Sequence, residues 1–273
     1  MNISDELKNK WDSLISLLQS YNRVAVAFSA GVDSTFLLKA AREALGENAI
    51  AITGKFDASP KREDDAAEAF CRSEGIEQVI ISLDQMSIHG FRENNPDRCY
   101  ICKKALFTKF QGTAFKMGID IIVDGSNADD DNDYRPGTRA LSELGIKSPL
   151  KECGFTKNEI REVSKALGLP TWSKPSLACL ATRIPYREEI TPEKLKTIDN
   201  AEQLLIDSGL SNVRVRVHGE LARIETDPSE FEKMLDKKIT DKTVRYLKEH
   251  GFKYVTLDLE GYSLGSMNRM LDL

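Results

Sequence analysis

Long apolar runs are missing from this 273-residue chain, and residues 1–10 mix acids with bases and hold no apolar core of a leader. The first absence excludes a membrane-spanning helix, which needs roughly 20 consecutive apolar residues. The second excludes a secretion signal, so a soluble cytoplasmic protein is expected. A surplus of positive charge is missing too. Lysine and arginine number 38 against 43 acids, a formal net charge of -5, and no global positive field draws the protein to nucleic acid or to a membrane surface. Cysteine is scarce and odd in number: Cys71, Cys99, Cys102, Cys153 and Cys179. In a chain without a secretion signal that argues against a disulfide framework and leaves thiols to ligate metal or act as nucleophiles. His89, His218 and His250 are the only histidines, and none stands in a ligand-like context. Repeats and low-complexity tracts are absent as well.

What is present is enough apolar material, 41% of residues, for a real core. Residues 1–20 carry Leu7, Trp11, Leu14, Ile15 and Leu18 near helical spacing, and 23–28 follow as an apolar strand. A helix over 34–45, a strand over 48–53, a helix over 60–74 and strands over 78–82 and 119–123 come next. Strands alternating with helices predict an α/β fold, a parallel sheet covered on both faces, with ligands beyond the carboxyl ends of the strands. Thr156 with Glu159 forms a capping box for a helix over 156–167, which Gly168-Leu169-Pro170 ends. Residues 174–187 read as a loop. After Pro192 the pattern becomes a helix, a strand pair over 213–217 and 221–226, two helical stretches and a strand over 254–259. That predicts a domain boundary near residue 188, with a nucleotide domain over 1–188 and a smaller α+β domain over 189–273 for substrate binding or oligomerisation.

Ser29-Ala30-Gly31-Val32-Asp33-Ser34 lies between the first strand and its helix, where backbone N-H groups and the helix dipole make an anion site. Small residues let amides close around phosphate oxygens, the hydroxyls add hydrogen bonds, and Asp33 can hold Mg2+. An ordinary turn capped by Ser29 or Asp33 is the bland alternative. The string is neither a Walker A motif nor a GxGxxG loop. It resembles the SGGxDS loop of the PP-loop ATP pyrophosphatases, whose members use it to grip the pyrophosphate leaving ATP. That resemblance implies the Rossmann-like fold of the adenine nucleotide alpha hydrolases. Ala30 departs from the usual first glycine, and would strain the loop if that position needs a positive φ. Thr53-Gly54 ends the second strand, where an adenine edge is expected. Asp124-Gly125-Ser126-Asn127 ends the fourth, where a second anion or metal contact is expected.

Cys99-Tyr100-Ile101-Cys102 is a CxxC followed by Lys103, Lys104 and a helical run, so both sulfurs stand near a helix start, where the dipole favours thiolates. A redox pair, half a zinc site or buried thiols are the plain readings of such a pair. Cys179 lies in a loop expected close to the nucleotide, and three thiolates can hold three irons of a 4Fe-4S cluster with the fourth left open. A zinc site would need one more cysteine or histidine. Cys71 and Cys153 have no partner at ligand spacing and read as structural.

Taken in order, these motifs resemble the LarE family of ATP-dependent sulfur transferases, a branch of the PP-loop class. They are the loop from Ser29 to Ser34, Asp124-Gly125, Asn132-Asp133-Tyr134-Arg135-Pro136-Gly137, Arg183-Ile184-Pro185-Tyr186, Val213-Arg214-Val215-Arg216, Ala222-Arg223-Ile224-Glu225 and Tyr254-Val255-Thr256-Leu257-Asp258-Leu259. The resemblance implies a part in making the nickel-pincer nucleotide, the cofactor of lactate racemase, from pyridinium-3,5-biscarboxylic acid mononucleotide and ATP. It also implies the three-cysteine type, with Cys99, Cys102 and Cys179 on a 4Fe-4S cluster, sulfide or a sulfur donor as partner, and a homo-oligomer. Following the same pattern, Asp131 and Glu202 are expected to help bind metal near the active cysteine, and Arg135 to contact substrate or a neighbouring subunit. Arg214 and Arg216 alternate onto one face of their strand, a spacing that suits a phosphate or carboxylate fork, although an exposed charged face would look the same. A tRNA thiolase of the PP-loop class and a non-catalytic nucleotide- or metal-binding protein are the rival readings. Net charge -5 and the absence of paired CxxC motifs count against the thiolase.

Overall fold

The structure is a computed structural model that describes residues 3–132, 136–175, 178–263 and 265–270. Its chain divides into two compact units, one of Met1–Phe56, Lys61–Asp84 and Asp97–Leu177, the other of Asp57–Pro60, Gln85–Pro96 and Ala178–Leu273. The second unit therefore begins before the boundary expected near residue 188 and also takes in two short earlier segments. Hydrogen bonds account for that: Leu180 N donates to Ala58 O at 2.9 Å, Arg187 N to Asn94 O at 3.0 Å, and Asn94 Nδ2 to Pro185 O at 2.7 Å. A linear reading of composition has no access to such pairings.

In chain order the first unit contains α1 (Asp5–Gln19), β1 (Val24–Ala27), α2 (Val32–Leu45), β2 (Ala49–Lys55), α3 (Lys61–Ser73), β3 (Gln78–Ser82), α4 (Arg98–Lys116), β4 (Ile121–Val123), α5 (Pro136–Glu143), α6 (Pro149–Glu152) and α7 (Lys157–Ala166). All four strands are parallel in the order β3-β2-β1-β4, with Val24 opposite both Ala49 and Ile121. Side chains alternate along a strand, and each face here meets its own core. Val24, Val26, Ala49, Ala51 and Val123 pack with Trp11, Phe36, Phe70 and Ile160 of the helices on one side. Ala25, Ile50, Ile52 and Ile122 pack with Phe107, Phe110 and Leu141 on the other. Burying both faces explains why these strands read as unbroken apolar runs. Phe36 is fully buried, with its ring 5.5 Å from Trp11 and 5.4 Å from Phe155, so truncating it to alanine costs about 3–5 kcal/mol. The α/β fold with its parallel sheet is thus the one the alternating pattern predicts.

The second unit holds α8 (Pro192–Asp207), β5 (Arg214–His218), β6 (Leu221–Glu225), α9 (Phe231–Met234), α10 (Lys237–Glu249) and β7 (Tyr254–Leu257). Its sheet runs β5-β6-β7, antiparallel in the first pair and parallel in the second. Leu195, Ile198 and Leu205 of α8 and Val215, Val217, Ala222 and Ile224 of the strands are buried. Among the described residues no helix is long and apolar enough to cross a membrane.

Candidate active site

At the carboxyl end of β1 the chain turns through Ser29, Ala30 and Gly31 into α2, and Gly31 is the N-cap. The helix starts at Val32, two residues before the start at Ser34 that periodicity suggests, so the amides of Val32, Asp33 and Ser34 fall in its first turn. Such amides have no partner inside the helix and stand at the positive end of its dipole. The loop is tied internally through Ser34, whose Oγ accepts from Ser29 N at 3.3 Å, donates to Gly31 O at 3.3 Å and lies 3.3 Å from Ser29 Oγ. Ala30 has φ 54° and is 2% exposed, so the strain foreseen for a non-glycine residue is there, at about 1–2 kcal/mol. Its carbonyl accepts from Lys174 Nζ at 3.0 Å, and the same ammonium pairs with Glu63 at 2.7 Å.

Gly125, just past β4, closes against the loop. A Cβ there would sit 3.0 Å from Ser34 N and 3.2 Å from the carbonyl carbon of Asp33, both rigid backbone atoms. Asp124 fixes this turn, taking hydrogen bonds from Ser126 Oγ and Ser148 Oγ at 2.6 Å each. Gly125→Ala must therefore push the loop amides out of line. Overpacking of this kind costs about 1–3 kcal/mol of stability, so the melting temperature should fall by roughly 2–4 °C per kcal/mol, and titration calorimetry should find ATP binding weakened about tenfold or more.

Sequence reasoning missed the cation that faces Asp33. Lys157, the first residue of α7, sets its Nζ 2.5 Å from Asp33 Oδ2, and Asn127 Nδ2 lies 3.5 Å from Oδ1. The capping box was the one available signal, because it locks the helix start from which Lys157 reaches. Thr156 and Glu159 close that box, and Lys10 braces it with a 2.7 Å ion pair to Glu159 and a 3.0 Å bond to Gly154 O. The Lys157 and Asp33 side chains remain 27% and 23% exposed. A pair this open to water contributes at most about 1 kcal/mol, so either partner can exchange it for a phosphate or a cation.

Thr53, at the end of β2, is buried and its Oγ1 accepts from Gln78 Nε2 at 2.9 Å. Cys99 and Cys102 lie in the first two turns of α4, three residues apart and hence on one helix face, both partly exposed. Lys104 turns to Glu143, 2.8 Å away, and to the Tyr100 hydroxyl. Cys71 sits in the core between α3 and its neighbours, where burial pushes its thiol up to about 12. Burial, with Glu152 beside it, raises Cys153 too. None of the five cysteines is in a disulfide. Among the described residues no three His, Cys, Asp or Glu side chains gather as a metal-binding group.

In the second unit Cys179 is the N-cap of a short 3-10 turn, Leu180–Arg183. Arg183 and Glu202 are both 0% exposed and form a two-pronged ion pair, Nε to Oε1 at 2.9 Å and Nη2 to Oε2 at 3.1 Å. Glu202 Oε1 also accepts from Val215 N at 3.1 Å, so what it holds here is Arg183 and β5. Burial opposes its ionisation, yet the Arg183 guanidinium and the hydrogen bonds keep it below the ordinary glutamate value. Arg214 and Arg216 are buried, not spread on an exposed face. Arg216 binds Glu225 Oε2 at 2.8 and 3.0 Å and Thr182 O at 3.1 Å. Arg214 stacks its guanidinium 4.8 Å from the Tyr262 ring centre, and burial, with Arg183 nearby, pushes it below the usual arginine value.

Arg135 lies outside the described residues, as do Ser176 and Leu177 of the segment before Cys179, and for Asp131 only its place in the 3-10 turn Ala128–Asn132 is described.

No family model matches the chain. Full-length relatives do. It is 40% identical over 265 residues, 97% of this chain and 99% of the relative, to an uncharacterised protein of Synechocystis sp.. An uncharacterised protein of Methanocaldococcus jannaschii is 30% identical over 261 residues, 96% of this chain and 94% of its own length. Pyridinium-3,5-bisthiocarboxylic acid mononucleotide synthase of Lactiplantibacillus plantarum is 35% identical over 266 residues, 97% of this chain and 96% of the enzyme. An alignment that long, end to end with a protein of known product, leaves one assignment: the chain belongs to the LarE family of pyridinium-3,5-bisthiocarboxylic acid mononucleotide synthases.

Proposed function

We infer that this protein is an ATP-dependent sulfurtransferase that turns a carboxylate of pyridinium-3,5-biscarboxylic acid mononucleotide into a thiocarboxylate. The observation that carries the reading is the Ser29–Ser34 loop with Lys157 paired to Asp33, in a chain that aligns with the synthase over 97% of its residues. A carboxylate is a poor acyl donor, because its leaving group would be oxide. Attack of a carboxylate oxygen on the α-phosphorus of ATP forms an acyl adenylate and breaks the bond to pyrophosphate. Amides of the α2 first turn and the hydroxyls of Ser29 and Ser34 would hold the departing pyrophosphate. Lys157 would follow the charge that develops on it, and Asp33, released from Lys157, would hold Mg2+, which would supply further neutralisation of that charge. Hydrosulfide then attacks the acyl carbon, the bond to AMP oxygen breaks, one proton is released, and thiocarboxylate and AMP leave.

Three thiols of the right chemistry exist for an iron-sulfur group: Cys99 and Cys102 from one helix face, and Cys179. A 4Fe-4S cluster on their thiolates would supply the sulfide. Cys71 and Cys153, their thiols raised by burial, are left out of that set. Arg214 and Arg216, two guanidiniums on one face of the strand Arg214–His218, support that face as the contact for the substrate phosphate. Thr53 and Gly125 border the nucleotide, and Glu202 acts through Arg183.

The test is anaerobic incubation with ATP, the pyridinium substrate and sulfide. AMP, pyrophosphate and a product heavier by the exchange of oxygen for sulfur are expected together. ATP binding with no cleavage under those conditions would make the protein a binder and not an enzyme.

A further inference from the structure

Arg183 is the largest side chain with no exposure in the described structure, and it is charged. Removing an arginine and a glutamate from water is costly, and apolar residues of like volume stabilise a core at least as well. What apolar residues lack is direction. Arginine offers five donors in a rigid fork, and here they divide between two jobs. Nε and Nη2 grip Glu202, which is anchored on α8 and accepts from β5. Nη1 reaches back along the chain to Ala178 O at 2.7 Å, Cys179 O at 3.2 Å and Thr182 Oγ1 at 3.0 Å. Thr182 Oγ1 donates to Cys179 O at 2.8 Å, and Arg216 holds Thr182 O. Four of these bonds end on backbone carbonyls of residues 178–182, two from Arg183, one from Thr182 and one from Arg216.

We propose that the buried Arg183–Glu202 pair is a positioning device for Cys179, fixing the backbone of residues 178–183 to α8 and β5 so that its sulfur is held in one place during sulfur transfer. The proposal rests on the reading of Cys179 as a sulfur-handling residue. Glu202 then serves that cysteine through Arg183: its carboxylate orients Arg183, and Arg183 orients the loop.

Arg183→Lys keeps the charge and loses the fork. In the full-length protein, hydrogen exchange of the 178–183 amides should quicken about tenfold or more while the β1 and β2 amides keep their protection. Exchange of labelled pyrophosphate into ATP in the presence of the pyridinium substrate reports adenylation alone, which draws on the phosphate loop, and should stay within about twofold of the wild type. Thiocarboxylate formation should fall about tenfold to a hundredfold, the range that misplacing a reacting group produces. Uniform loss of protection across both units, or a parallel fall of both reactions, would reduce the pair to a general stabiliser and overturn the proposal. Should Arg183→Lys fail to fold, Glu202→Gln keeps one oxygen facing Arg183, and the same local rise in exchange is expected. Unchanged exchange in that variant overturns the proposal too. If the wild type makes no thiocarboxylate, the reaction assigned above fails, while the exchange measurement still decides whether the clamp exists.

Discussion

Anaerobically reconstituted wild type should hold about four irons per chain, as a cluster on three thiolates requires, and alanine at Cys99, Cys102 or Cys179 should leave the protein without iron. Alanine at Cys71 or Cys153 should leave that content unchanged. The contrast follows from where the thiols stand. Cys99 and Cys102 occupy one face at the positive end of a 19-residue helix and are partly exposed. Cys71 is 2% exposed among Ala67, Phe70 and Ile76, and a thiol pushed up to about 12 is not a thiolate at neutral pH. Iron analysis with absorption spectra under argon reads the result directly. Full iron in the Cys179→Ala protein would remove Cys179 from the ligand set and leave sulfur delivery without its third anchor.

Lys157→Ala should lower the rate of AMP formation about 10²- to 10³-fold, the effect of removing one donor aimed at charge that develops in a transition state. Asp33→Asn should do comparable damage for a different reason, since it deletes the carboxylate assigned to Mg2+. The two variants separate in magnesium dependence. Lys157→Ala keeps the metal ligand and should saturate at ordinary Mg2+ concentrations, whereas Asp33→Asn should need more. Stability should change little in either, because a pair about one-quarter exposed contributes at most about 1 kcal/mol. A Lys157→Ala enzyme that turns over at the wild-type rate would show that the ammonium merely neutralises Asp33.

Much of the fold is legible in the residues because its forces are local. Apolar runs over 23–28 and 48–53 are strands buried on both faces, and Thr156 with Glu159 announces a helix start that the structure confirms hydrogen bond by hydrogen bond. Ala30 was legible as a point of tension, and its φ of 54° bears that out. Contacts between distant residues were not legible. Lys157 lies 124 positions from Asp33, Lys174 lies 144 from Ala30, and no periodicity connects them. Alternation of Arg214 and Arg216 suggested a single face, yet it could not distinguish a solvated face from a buried one. Here Glu225 and Tyr262 cover the guanidiniums. Segment 57–60 joins the second unit through the bond from Leu180 N to Ala58 O, and segment 85–96 through backbone bonds at Arg92 and Asn94, the Asn94 side chain and an Arg92–Glu189 ion pair, none of which leaves a mark on composition.

Activation of the carboxylate by adenylation is the step on which everything else depends, and the fate of its oxygen tests it. Substrate labelled with 18O in both carboxylates, turned over with unlabelled ATP, sulfide and this protein in unlabelled water, should give AMP carrying one heavy oxygen per thiocarboxylate formed and pyrophosphate carrying none. Heavy oxygen in pyrophosphate or inorganic phosphate, or AMP without label, would mean that the α-phosphorus never received the carboxylate.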